Sequence, residues 1–226
     1  MSGDLSHIEG GTMPLTTDQL LEFLIASALI TLAPGPDVLA TLGLGLSKGW
    51  KVAVRFGAGC GIGCLFHTSL AVLGVSAAIK TAPTAYATLK LFGACYLAWL
   101  GFCQLRSRTS ASVSAPMNLP GSEQASRQGY FLKGLIANAV NPKVALFFLA
   151  FLPPFVDESS GNSELQLALL GILFTLVAVF LFGLIGFFSG QISHLLKTRQ
   201  NLALWLDRVS GAIFLWLALL MLLPEG

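Results

Sequence analysis

Apolar residues along this chain gather into long runs separated by short polar stretches, at about Leu20–Leu46 (interrupted), Val52–Ile79, Thr84–Leu105, Tyr130–Leu152, Leu165–Gly190 and Leu202–Leu223. Each run holds the roughly 20 residues that a helix rising 1.5 Å per residue needs to cross ~30 Å of hydrocarbon. The pattern predicts an all-α polytopic membrane protein with six transmembrane helices. The segment before the first run, MSGDLSHIEG, has no basic stretch, and no small-residue cleavage site follows, so the first run reads as a retained span.

Charge fixes a direction for these spans. The first connection holds Lys48 and Lys51, with Arg55 just inside the next run. The third holds Arg106, Arg108, Arg127 and Lys133, and the fifth holds Lys197, Arg199 and Arg208. Ten of the 13 Lys and Arg therefore fall on one side. The fourth connection carries only acids (Asp157, Glu158, Glu164), and the N-terminal tail is acidic as well (Asp4, Glu9, Asp18). The positive-inside rule puts connections one, three and five in the cytoplasm and both termini outside, in the periplasm if the membrane is a bacterial inner membrane. Trp50, Tyr130 and Trp205 then fall at the inner interface, where an aromatic belt belongs.

Composition agrees with this reading. Charged residues make up 11% of the 226-residue chain, against roughly a quarter in soluble domains, and mean hydropathy is +0.76. A net charge of +2 is too small to suggest nucleic-acid binding. The stretch Ser107–Gly129 holds six Ser, two Pro and no apolar run, as a flexible linker would. The expected organisation is a tail over 1–14, three helices over 15–106, a cytoplasmic linker over 107–129 and three more helices over 130–226.

Two of the runs are broken. The first stops at Ala33-Pro34-Gly35-Pro36-Asp37 and resumes at Val38; the fourth stops at Asn138-Ala139-Val140-Asn141-Pro142-Lys143 and resumes at Val144. Pro36 and Pro142 lie 106 residues apart, nearly half the chain. Three spans per half is an odd number, so the second half must sit inverted relative to the first. Two inverted three-helix repeats with broken helices at the two Pro motifs are the arrangement of many secondary transporters, with the binding site at the breaks. Proline ends a helix before it and can begin a new one. Asn141 is a strong N-cap residue and Gly35 an acceptable one, each followed by Pro at the first helical position. From Pro36 to Leu46 is about 15 Å of helix, and from Tyr130 to Pro142 about 18 Å, so both restarts lie near mid-membrane.

Each break bears a charge, and a charge at that depth costs at least ~2.5–3.5 kcal/mol, so it points to function. Asp37 suits the positive end of its own helix. Lys143 does not, since a cation is disfavoured there, and it needs a partner: Asp37, as a permanent ion pair, or a bound carboxylate. Pro34, Gly35, Pro36, Asp37, Asn138, Asn141, Pro142 and Lys143 are the candidate substrate-binding residues. A plain packing kink is the alternative for each break. Asp37 is the candidate proton-coupling group. His67, mid-span, is a second candidate because imidazole titrates near neutral pH in water.

The residues that carry these features resemble a known family. LAPGPD at 32–37, the Gly-rich second run after KGWK, LKLFGACYLAWLGFCQLRS at 89–107, FLKGLIANAVNPKVALFFLAFLPPFV at 131–156 and RVSGAIFLWLALLML at 208–222 are similar to the LysE/RhtB family of amino-acid exporters. The resemblance covers nearly the whole chain. It implies a bacterial inner-membrane protein that exports amino acids such as lysine, homoserine, threonine or leucine in exchange for protons, with no cofactor. The tail before Leu15 is longer than the family pattern.

Further features lie outside the two breaks. Gly57, Gly59, Gly61 and Gly63 form two overlapping small-xxx-small pairs on nearly opposite faces, so this helix can approach neighbours closely on both sides, inside the chain or in a homodimer. Gly186 and Gly190 are the candidate inverted counterpart. Cys60, Cys64 and His67 fall at i, i+4 and i+7 on one face, and make a heavy-metal ion exporter the alternative function. Cys95 and Cys103 lie in the third run, and none of the four Cys forms a CxxC pair. Arg55 and Glu22 read as interfacial residues. No GxSxG, HExxH or paired catalytic carboxylates appear in the runs, so no enzyme motif is present.

Overall fold

The computed structural model describes residues 17–75, 83–106, 127–156 and 163–222. Within them every regular element is a helix. The first run is α1 (Thr17–Leu32) followed by α2 (Pro36–Lys48), bent by 54° at the break. α3 (Trp50–Leu70) continues as a π turn over Ala71–Val75, and α4 is Pro83–Arg106. After the linker come α5 (Arg127–Ala139) and α6 (Pro142–Leu146), bent by 51°; α6 runs on as a π turn, Phe147–Phe151, and a 3-10 turn, Pro153–Phe155. α7 (Ser163–Phe187), α8 (Ser189–Thr198) and α9 (Gln200–Leu222) complete the described chain.

By length and composition three helices could cross a membrane, or five when each bent pair is one span. α4, 24 residues long, stands where the third span is expected. The tail over 1–14, the linker over 107–126 and the acidic connection at Asp157 and Glu158 lie outside the described residues. The linker's expected end at Gly129 shifts, because α5 already begins at Arg127.

α3 is the central helix, packed between α5 and α7, and its glycines make this possible. A Cβ on Gly57 would lie 2.9 Å from the Phe182 carbonyl oxygen of α7, and one on Gly61 would lie 2.6 Å from Val179 Cγ2. On the other face, a Cβ on Gly59 would lie 2.9 Å from Leu135 N and one on Gly63 2.8 Å from Asn138 Cβ, both on α5. Both faces are thus filled from within the chain. Gly186 meets α3 at Val54, whereas Gly190 lies in α8 with open space around its Cβ position. The expected pairing of Gly186 with Gly190 is therefore corrected: the fifth run breaks at Phe188, and its end becomes a separate short helix. That helix packs on α2, with Ser193 Oγ donating to Leu42 O at 3.4 Å.

α4 and α9 cross at a reciprocal pair of glycines. A Cβ on Gly101 would lie 2.7 Å from Gly211 O and 2.9 Å from Leu215 Cγ; one on Gly211 would lie 2.7 Å from Gly101 O and 2.9 Å from Leu105 Cγ. Each residue meets the counterpart of its own neighbour, 110 positions along the chain, so the crossing has a local two-fold.

The interior is rich in aromatic rings: Phe23, Phe56, Phe147, Phe148, Phe174 and Phe214 are all buried. Leu169, Ile172, Leu176, Phe180 and Leu184 of α7 face outward, as lipid contact allows and water would not. Trp50 and Trp205 are exposed, as a belt requires, but Tyr130 is buried and leaves the belt. Its ring lies under two ammonium groups, Lys48 Nζ at 5.8 Å and Lys133 Nζ at 5.5 Å from the centroid, a cation–π stack at the start of α5.

Candidate functional site

The prolines create the site by deleting donors. In a helix the carbonyl of residue i accepts from the N–H of i+4, and proline has none. Pro34 therefore orphans the carbonyl of Ile30, and Pro142 orphans that of Asn138. A buried carbonyl left unpaired is costly, so other groups must meet it. Lys143 Nζ donates to Ile30 O at 3.1 Å and to Ala33 O at 3.0 Å. Asn138 O accepts from Asn141 N at 2.8 Å and pairs with His67 Nε2 at 2.9 Å. An amide oxygen only accepts, so this bond assigns a proton to Nε2; Nδ1 is buried and without a partner among the described residues.

The two restarts differ in how they are capped. At α6 the side chain of Asn141 accepts from Lys143 N at 3.0 Å, an N-cap that Pro142 at the first helical position reinforces. At α2 no side chain caps the helix. Gly35 there has φ −162° and ψ 178°, an extended backbone any residue adopts, so space and not conformation calls for glycine. A Cβ on Gly35 would lie 2.9 Å from Lys143 Nζ.

The charges meet through intermediaries. Asp37, 5% exposed, accepts from Asn138 Nδ2 on Oδ2 at 2.8 Å, while Lys143, 7% exposed, reaches the carbonyl end of α1 and lies 5.9 Å from the Phe214 ring centroid. A direct Asp37–Lys143 pair, one of the two partners open to Lys143, gives way to this arrangement. The freed carbonyls at the end of α1 attract the ammonium, and the amide of Asn138 is already committed to the carboxylate. Asn138 is the hub: its amide serves Asp37, its carbonyl serves His67, and its Oδ1 faces the Cys64 thiol at 3.7 Å.

The structure thus brings Gly35, Asp37, Asn138, Asn141, Lys143 and His67 into one cluster between the halves. Pro36 and Pro142 are exposed at its edges. Two residues outside the sequence-based set join it. Gln104 Nε2 donates to Pro34 O at 3.0 Å, and a lone glutamine near the end of an apolar helix was a readable signal. Phe214 had none, being one of 16 phenylalanines. The metal-exporter alternative finds no preformed three-ligand cluster of His, Cys, Asp or Glu among the described residues, and His67 Nε2 and Cys64 both turn to Asn138. Cys60 and Cys64 are buried free thiols packed in the core; Cys95 and Cys103 are exposed.

Comparison with known proteins points the same way. A family model described as LysE type translocator matches residues 28–225. A leucine efflux protein of an Enterobacter species is 29% identical over 196 residues, covering 87% of this chain and 91% of the relative. A leucine efflux protein of Klebsiella pneumoniae is 27% identical over 202 residues, covering 88% and 92%. An uncharacterized membrane protein of Pseudomonas aeruginosa is 29% identical over 194 residues, covering 85% and 89%. No solved structure matches.

Proposed function

The chain belongs to the LysE type translocator family, and from that premise we propose that it is a secondary exporter of small amino acids or close derivatives, working by alternating access in exchange for protons. Leucine is the first substrate to test, because two of its relatives are named for leucine efflux; homoserine, threonine and lysine follow from the family resemblance. We read the chain as six spans in two inverted repeats, over 15–106 and 130–226, in a bacterial inner membrane with both termini periplasmic. The 106-residue offset of the two breaks and the reciprocal crossing at Gly101 and Gly211 support the inverted relation.

What carries this reading is the meeting of a buried acid and a buried base, one from each half, at backbone breaks. The substrate carboxylate fits the uncapped start of α2, whose N–H groups and positive dipole end favour an anion, with Lys143 lying against Gly35. The α-ammonium turns toward Asp37 and the carbonyl end of α1. Pro34, Pro36, Asn138, Asn141 and Pro142 shape the surround.

Asp37 is the proton-coupling group, and His67 relays. A carboxylate accepts the Asn138 amide as a charge-assisted bond, and protonation weakens it. A proton from the periplasm would then loosen the tie between the halves and bias the return of the carrier. Asp37→Asn is expected to abolish proton-driven leucine export in proteoliposomes while the protein still inserts in the membrane. Export at the parental rate by that variant would refute the coupling role.

A further inference from the structure

The geometry points to Lys143 as a tethered stand-in for the substrate's own ammonium: its Nζ occupies the ammonium subsite of the exporter, a cradle of Ile30 O, Ala33 O and the face of Phe214. This inference rests on the reading of the chain as an amino-acid exporter and deepens it.

The cradle is built for a primary ammonium. Its two acceptors lie 3.1 and 3.0 Å from the nitrogen, and the aromatic face is 5.9 Å away. Both carbonyls lie at the negative end of α1, and Pro34 guarantees that Ile30 O has no helical donor. The absent side chain at Gly35 makes the room, since a Cβ there would be 2.9 Å from Nζ. An α-ammonium group presents the same charge and the same three donors as the ε-ammonium of lysine. A zwitterionic substrate therefore fits the cradle only by displacing Lys143. The displaced ammonium, still attached to α6, is then free to pair with the substrate carboxylate at the start of α2. Without substrate, Lys143 satisfies Ile30 O and Ala33 O, so the proton-loaded carrier can make its return step without leaving these two carbonyls unmet.

The test uses the purified protein in two arms. In the first, Lys143→Ala is unfolded thermally in detergent with n-butylammonium, tetramethylammonium or sodium at matched ionic strength. A saturable rise in Tm with n-butylammonium alone, absent from the parent whose cradle is filled, is expected. Equal responses to all three cations, or the same rise in the parent, would overturn the assignment. In the second, the parent protein in proteoliposomes carries labelled leucine in counterflow, which needs no altered residue. Leucine's decarboxylated analogue, 3-methylbutylammonium, is expected to compete at least about tenfold better than 4-methylpentanoate, which lacks the ammonium. Equal competition by the acid would also overturn it. If the parent carries no amino acid at all, the exporter reading fails, and the first arm still decides the cradle. If leucine moves but neither arm discriminates ammonium, the stand-in alone is lost.

Discussion

The two broken helices use the same device for opposite ends. At the second break the backbone is met locally: Asn141 caps α6 and its N–H meets the orphaned carbonyl of Asn138, while His67, Asp37 and Cys64 reach Asn138 from the first half. At the first break little is local. α2 has no side-chain cap, and Ile30 O and Ala33 O at the end of α1 are met by Lys143, more than a hundred residues away. A break that satisfies itself can be rigid, whereas one that depends on the other half changes whenever the halves move. The first break is therefore the natural place for substrate to enter the hydrogen-bond scheme. The second is the natural frame that presents Lys143 and Asn138 to it.

This contrast can be broken at graded cost. The largest effect belongs to Lys143→Met, which keeps the apolar stem but orphans Ile30 O and Ala33 O. Each unmet carbonyl costs about 1–3 kcal/mol, and export is expected to fall by two orders of magnitude or more. Leucine counterflow and thermal stability measured on the same sample check it; parental values of both would show that the first break does not lean on the second half. The smallest effect belongs to Asn141→Ala. It removes a local cap worth about 1 kcal/mol, and should lower Tm by a few degrees while leaving most of the transport. Loss of transport as complete as in Lys143→Met would erase the distinction between the two breaks.

Much of this arrangement was legible in the chain, because its causes are local. Proline deletes donors wherever it sits, so the breaks at Pro34, Pro36 and Pro142 follow from their neighbours alone, as does the capping role of Asn141. The two faces of the α3 glycines follow from helical spacing. Partner choice was not legible. Charge alone pairs Asp37 with Lys143, but the structure gives Asp37 to the Asn138 amide and Lys143 to two carbonyls. Backbone acceptors carry no letter in the sequence, and so they do not enter a count of charges. The same blindness hid Phe214, whose ring faces the ammonium by tertiary placement, and the burial of Tyr130 under Lys48 and Lys133. α8 escaped because a ten-residue amphipathic helix looks like a basic loop next to an apolar run.

The claim that the breaks touch through Asn138 and Asp37 is tested most directly by exchanging the two residues. Asp37→Asn leaves two amides facing each other, Asn138→Asp leaves two carboxylates, and the double exchange rebuilds a carboxylate–amide bond in reverse. Thermal stability of the four proteins in one detergent is the measurement. The account predicts that both single variants lose stability and that the double variant recovers at least about 1 kcal/mol beyond the sum of the two changes. Changes that simply add, within about 0.5 kcal/mol, would contradict a contact between the two halves at this point.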